Sequence, residues 1–330
     1  MRIGFWIKNA RTISLPQSLL PTLTALAAAA GDGEFSYLAA ALAVFGVICA
    51  HLGMNLADDW FDYRVRADKT RIALASDGMR VRIGKYPYLL DGSATPGQLL
   101  AATAVFLLIA LGCGVAIAFM RGITVVWMAL IGFFLGISYS GKPLRLAFNG
   151  LGELVIFLMF GPLLMTGVYF AAIGTFSYKI VWLSVAVGLL VANIIYTHSV
   201  LDAGPDARMH KRTMAHLMGS GTGMWILAML FNLLPYPLIA AGVLTGYLHP
   251  AYLVVFAVLP MSVWLCKSMR DYVRNRPCDT NPKLWMGPMS NFQRFVDAGV
   301  DWFMIRWLIS RNIVTFFCLL IIIVSLVFRQ

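Results

Sequence analysis

The chain has 330 residues, 60% of them hydrophobic and 12% charged, with a formal net charge of +11. Soluble domains carry about a quarter of their residues as Asp, Glu, Lys and Arg, so this composition, with a mean hydropathy of +0.77, excludes a soluble globular protein and implies an integral membrane protein. No nucleic-acid motif accompanies the positive charge, so nucleic acid is not among the expected partners.

A helix needs about 20 apolar residues to cross about 30 Å of hydrocarbon. Nine runs are candidates: 12–31, 35–57, 98–119, 123–140, 151–173, 178–200, 222–246, 249–266 and 312–328. Strand-like alternation is absent, so the expected fold is an all-α bundle of about nine transmembrane helices forming one domain over residues 1–330. The first run, basic then apolar and ending in "LAAAAGDG", has the outline of a signal peptide. Its length, with Pro16 and Pro21 inside it, reads instead as a span.

Cytoplasmic loops carry the excess of Lys and Arg. With the N-terminus inside, 23 of the 26 basic residues fall on cytoplasmic segments, and only Arg121, Lys179 and Arg329 do not. The expected location is a bacterial inner membrane with the N-terminus cytoplasmic. The connections on the outer side are short. Those inside are long, at 58–97, 201–221 and 267–311, and function is expected on that face. Basic residues there suit anionic lipid head groups or a phosphorylated substrate. The five Cys lack CxxC spacing and read as small buried hydrophobes.

The first long loop opens with "NLADDWFDYRVRAD" (55–68). If the second span continues as helix, Asn55, Asp59 and Asp62 share one face at i, i+4 and i+7, while Asp58 points away and Asp68 follows as a further participant. Clustered carboxylates repel unless a cation neutralises them. Mg²⁺ takes one or two carboxylates, with waters and substrate phosphates completing its shell. The cluster therefore reads as a site for metal-bridged phosphate. The competing reading, a solvated loop of surface ion pairs, accounts less well for His51 and Asn55 inside the apolar run.

"THSVLDAGPDARMHKRT" (197–213) holds a second acidic pair, Asp202 and Asp206, followed by Lys211 and Arg212. Gly204 and Pro205 predict that the sixth span ends near Gly204 and that a short helix restarts at Pro205, with Asp206 in its first turn. A carboxylate at a helix start is also the ordinary structural role for Asp206.

Two Asp-rich loops on one side of a nine-helix bundle resemble the UbiA superfamily of intramembrane prenyltransferases, and within it the 1,4-dihydroxy-2-naphthoate prenyltransferases of menaquinone synthesis and their animal relatives. The resemblance rests on "ARTISLPQSLLP" (10–21), "NLADDWFDYRVRAD" (55–68), "YSGKPLRLAFNGLGELVIFLMFGPLLMTGVYF" (139–170) and "DAGPDARMHKRTMAHLMG" (202–219). The chain departs from the family pattern at Asp58, where Asn is usual, and at Glu153, where Asp is common. It departs also at "HSVLD" (198–202), which replaces Asn-Asn-x-Arg-Asp, and in a longer first loop around 72–90.

The resemblance implies transfer of a polyprenyl group from its diphosphate to an aromatic acceptor, a dihydroxynaphthoate. Mg²⁺ would be held by Asp59, Asp62, Asp202 and Asp206. Lys142, Lys211 and Arg212 would touch the diphosphate, with Asp68 and His198 also at the substrate. Asn55 would orient a ligand or phosphate, and Glu153 would act on the acceptor. Tyr139, Phe157, Phe160 and Tyr196 would line a dry cavity and face an allylic cation. Alternatives are a different acceptor within the same family or a transporter for an anionic metabolite. Transporter sites, however, lie near the midplane, and these clusters lie at helix ends. The signature of a CDP-alcohol phosphotransferase is not present.

Overall fold

The computed structural model describes residues 3–64, 86–208, 211–289 and 291–328. The chain is all helical, with α1 (Ile3–Asn9), α2 (Pro16–Ala29), α3 (Tyr37–Arg64), α4 (Pro96–Arg121), α5 (Thr124–Ser140), α6 (Gly152–Ile173), α7 (Tyr178–Leu201), α8 (Gly221–Leu244), α9 (Pro250–Val273) and α10 (Asp301–Val327). Seven of these, α3, α4 and α6 to α10, are long and apolar enough to cross a membrane. The two other predicted spans, α2 and α5, are helices of 14 and 17 residues, too short to meet the same length. The expected nine spans are thus seven long helices and two shorter ones among the described residues.

Local chemistry sets the helix ends. The Thr95 hydroxyl accepts the Gln98 N–H at 3.2 Å while the Gln98 side chain accepts the Thr95 N–H at 3.0 Å, a reciprocal cap in front of Pro96 that starts α4. Gly174, with φ of 79°, ends α6 in the left-handed conformation that glycine adopts without penalty. Inside α6, Pro162 lies in a π-helical turn, Met159–Leu163. The last helix begins at Asp301 rather than near 312, because a run-length reading stops at Arg306 and Arg311 whereas the helix buries or snorkels them.

The centre of the bundle is α7. Inside the molecule lies 72% of its apolar window, against 28% for α4, which places α4 at the lipid-facing edge. Around α7 pack α6, α8 and α10; α2 packs on α10 and the second half of α6, and α3 pairs along its length with α4. The Gly161 and Gly188 backbones meet where α6 crosses α7, an approach that only small residues allow in a membrane. At one end of the bundle, Lys179 pairs with Asp32 at 2.7 Å, Tyr169 hydrogen-bonds the same carboxylate, and Arg121 donates to the carbonyls of Ala171 and Ala172. Both acidic motifs lie at the other end.

Candidate functional site

The unbroken helix α3 carries its acidic residues past the apolar run to Arg64, as expected. Asp59 is fully buried and Asp62 is 3% exposed. Their cover is the segment before α2. Arg11 takes a left-handed backbone, φ of 57°, which turns the chain between α1 and the 3-10 turn Thr12–Ser14. The Arg11 guanidinium donates to the Asn55 carbonyl at 2.7 Å and to Asp58 at 3.0 Å, and stands 3.2 Å from Asp59. Burial works against the Arg11 charge, but the carboxylates of Asp59 and Asp58 outweigh it and raise its pKa.

Asn55 gives its amide hydrogens to the Ala10 carbonyl at 2.9 Å and the Ser14 hydroxyl at 3.0 Å, and that hydroxyl also meets His51 Nε2 at 2.8 Å. His51 and Asn55, the polar residues inside the apolar run, therefore clamp the N-terminal segment onto α3. Only the Asn55 amide oxygen remains for a ligand. Asp58, expected to point away from any role, binds both Arg11 and the Ser140 hydroxyl at the end of α5. It ties three segments together.

A single helical turn, Pro87–Leu90, brings Tyr88 to Asp59, and the phenol donates to the carboxylate at 2.9 Å. Burial, then the Asp59 charge and this hydrogen bond, push the Tyr88 phenol above its ordinary value, so it remains a donor. Asp68 lies outside the described residues, as does most of the lengthened loop around 72–90.

Between the two acidic motifs stand Tyr139 and Glu153. The Tyr139 phenol is within electrostatic reach of Asp58, Asp62, Arg11 and Glu153. Glu153 is 2% exposed at the start of α6 and interacts in turn with Ser199 and Lys211. The second motif follows at once. Helix α7 ends at Leu201, earlier than predicted, with Asp202 as its cap, and a short helix, Ala203–Arg208, places Pro205 and Asp206 in its first turn. Pro205 sits there at no cost, since its missing N–H has no helical partner in a first turn. His198 Nδ1 lies 3.5 Å from Asp202, and Lys211 pairs with the fully buried Asp206 at 3.2 Å.

The Arg212 N–H donates to the Phe148 carbonyl at 3.1 Å, joining this loop to the one after α5. His216 clamps it further, bonding Thr213 at 2.9 Å and the Ala203 carbonyl at 2.8 Å. The side chains of Lys142 and Arg212 are exposed on these two joined loops. Tyr196 behaves otherwise than expected: it is fully buried, donates to the Met224 carbonyl at 3.0 Å and packs on Phe231, which makes it part of the α7–α8 contact. Phe160 lies against His51, on the inner side of α3, and Phe157 against Gly188.

The donor set suits a hard cation, since each motif contributes buried carboxylates and no thiolate. Among the described residues, no three His, Cys, Asp or Glu side chains gather closely enough to hold a metal by themselves. That arrangement fits Mg²⁺ completed by phosphate oxygens and waters, not an all-protein cage. Arg11, Tyr88, Ser140, Ser199 and His216 were missed by sequence reasoning. Of these only Arg11 carried a signal, as the opening Arg of the first resembling segment.

Among curated relatives, the chain is 31% identical to the 2-carboxy-1,4-naphthoquinone phytyltransferase of Synechocystis sp. over 149 residues, 45% of this chain and about half, 48%, of that protein. It is 27% identical to a 1,4-dihydroxy-2-naphthoate octaprenyltransferase of Mycobacterium tuberculosis, over 65% of this chain and 70% of the relative. The Bacillus subtilis protein of the same name is 24% identical over 80% of this chain and 81% of its own. Two solved structures share the fold: digeranylgeranylglyceryl phosphate synthase in membranes, with a TM-score of 0.61 at 13% identity and 98% of both chains covered, and a UbiA homologue from Aeropyrum pernix K1, with 0.55 at 15% identity over 92% of this chain and 96% of that one. Residues 18–287 match the model of the UbiA prenyltransferase family, and the chain belongs to that family of transferases.

Proposed function

We propose that this prenyltransferase carries out Mg²⁺-dependent transfer of a polyprenyl group from a prenyl diphosphate to an aromatic acceptor, 1,4-dihydroxy-2-naphthoate, in menaquinone synthesis. It would work in a bacterial inner membrane with its N-terminus and acidic loops cytoplasmic. One observation carries the reading: two buried acidic pairs, Asp59 with Asp62 and Asp202 with Asp206, lie at one end of the bundle and are linked through Tyr139, Glu153 and Lys211. The naphthoate prenyltransferase names of several relatives support the acceptor.

In the proposed reaction the prenyl C1–O bond breaks and its electron pair leaves with the diphosphate. An electron-rich ring carbon of the acceptor attacks C1, and the ring proton is then lost. Mg²⁺, when bound, would supply positive charge to the leaving diphosphate, and Asp59, Asp62, Asp202 and Asp206 would hold it. Lys142, Lys211 and Arg212 would bind diphosphate oxygens, with Asp68 and His198 at its edge. Arg11 and Tyr88 hold Asp59 in position, so that the carboxylate meets its ligand without reorganising. Tyr139, Phe157 and Phe160 would offer ring faces to the developing allylic cation, and the apolar helices would keep water from it. Glu153 orients an acceptor hydroxyl.

Replacing Asp59 or Asp202 with Asn preserves shape and removes the charge. Either variant, followed by prenyl transfer in membranes at equal protein level, should lose about 100-fold or more in rate. Unchanged activity in either would overturn the assignment of that carboxylate.

A further inference from the structure

A cavity of about 430 Å³ lies behind the second acidic motif. One wall is the turn after α7, at Leu201, Gly204 and Pro205; the others are the C-terminal end of α9 with its following loop, and the first turns of α10. Arg306 lines it from α10 and is 2% exposed.

A buried guanidinium is costly unless its charge and donors are met. Arg306 has five N–H donors. Three hydrogen bonds use them, from Nε and Nη2 to the Ser268 carbonyl, each at 3.3 Å, and from Nη1 to the Trp302 carbonyl. The guanidinium also lies 5.2 Å from the Tyr272 ring centroid, and that ring stacks on Trp302 at 5.6 Å. Among the described residues no carboxylate is within ion-pair distance of it: Asp271 is engaged with Arg270 at 3.3 Å. The charge is met by carbonyl dipoles and a ring face, with the carboxylates of Asp271 and Asp301 within electrostatic reach but beyond ion-pair distance. At the mouth stand an exposed second cation, Arg276, and two neutral donors, Asn275 and Thr280.

The geometry points to an anion-binding site between α7, α9 and α10, distinct from the acidic site and built for a phosphate group, carried by a lipid head group or free in solution. Arg306 would meet the anion at depth, and Arg276, Asn275 and Thr280 would close over it. The position supports a lipid source as well as a soluble one, because the cavity lies where α9 ends and α10 begins. It also lies against the turn that carries Asp202 and Asp206, to which the Tyr272 hydroxyl is bonded through the Leu201 carbonyl at 3.0 Å.

The test uses the full chain purified in neutral detergent with EDTA, a condition under which the acidic motifs repel phosphate. Binding of inorganic phosphate and of short-chain phosphatidylglycerol is measured separately by native mass spectrometry and thermal shift, with chloride and phosphatidylcholine as controls. Saturable binding of either ligand is expected, weakened about tenfold or more in Arg276→Gln, an exposed position that leaves folding intact, and in Arg306→Lys, which keeps the charge but not the fork. Binding of the lipid alone identifies a head-group site, and binding of phosphate alone a soluble-anion site. No saturable binding of either, or binding indifferent to Arg276→Gln, overturns the proposal.

Discussion

Asp59 has no exposed surface, and among the groups that touch it are the Arg11 guanidinium at 3.2 Å and the Tyr88 hydroxyl at 2.9 Å. Hydrogen bonds to charged groups are worth about 1.5–3 kcal/mol. Tyr88→Phe should therefore lower stability by about 1–2 kcal/mol, read as a fall in thermal unfolding temperature in detergent; no fall would mean that the other groups around the carboxylate satisfy it without the phenol. The proposed role of Glu153 at the acceptor separates binding from acceptor chemistry. Glu153→Gln should leave Mg²⁺-dependent retention of prenyl diphosphate unchanged and lower kcat/KM for the aromatic acceptor about tenfold. An equal loss of diphosphate binding would move Glu153 to the other substrate. The acidic residues were legible in the sequence because their spacing matches a helix face. Their partners were not, because Arg11 and Tyr88 reach Asp59 from 48 and 29 residues away, and no local periodicity encodes such a contact.

Among the helices, α6 and α7 set Glu153 against the second acidic motif, since Glu153 lies in the first turn of α6 and Asp202 caps α7 after Leu201. Their crossing has no room to spare. A Cβ on Gly161 would lie 2.6 Å from the Gly188 Cα and 2.6 Å from the Ser184 carbonyl oxygen, both backbone atoms that cannot rotate away. Gly161→Ala should cost about 1–3 kcal/mol of stability through overpacking. Gly114→Ala on α4, where nothing lies within 4 Å, should be neutral or better by the same unfolding measurement. Equal behaviour of the two would mean that the crossing yields. The order and rough bounds of the seven long apolar helices among the described residues follow from run length, whereas the runs at 12–31 and 123–140 correspond to helices of 14 and 17 residues, short of a span. Where charge enters a helix the same reading fails, as at α10, whose first turns hold Arg306 and Arg311. The break after α7 was predicted from Gly204 and Pro205 but falls at Leu201, because a proline is tolerated inside the first turn of the next helix.

At the scale of the whole molecule, one end of the bundle is closed by the Asp32–Lys179–Tyr169 network and the Arg121 backbone clasp, while the other gathers the buried carboxylates, Glu153 and the basic loops. This polarity is what a membrane transferase requires: charge chemistry at the interface and an apolar interior for the prenyl chain. The charge distribution along the sequence anticipated it, whereas the N-terminal segment folded over α3 was not anticipated. Mg²⁺-dependent prenyl transfer to a naphthoate can be measured by incubating membranes that contain the protein with labelled prenyl diphosphate and a panel of aromatic acids, with Mg²⁺ and with EDTA. Labelled product is expected from 1,4-dihydroxy-2-naphthoate with Mg²⁺, with loss of product in EDTA and restoration on adding Mg²⁺ back. No product from the naphthoate, or product formation unaffected by EDTA, would contradict the proposed reaction.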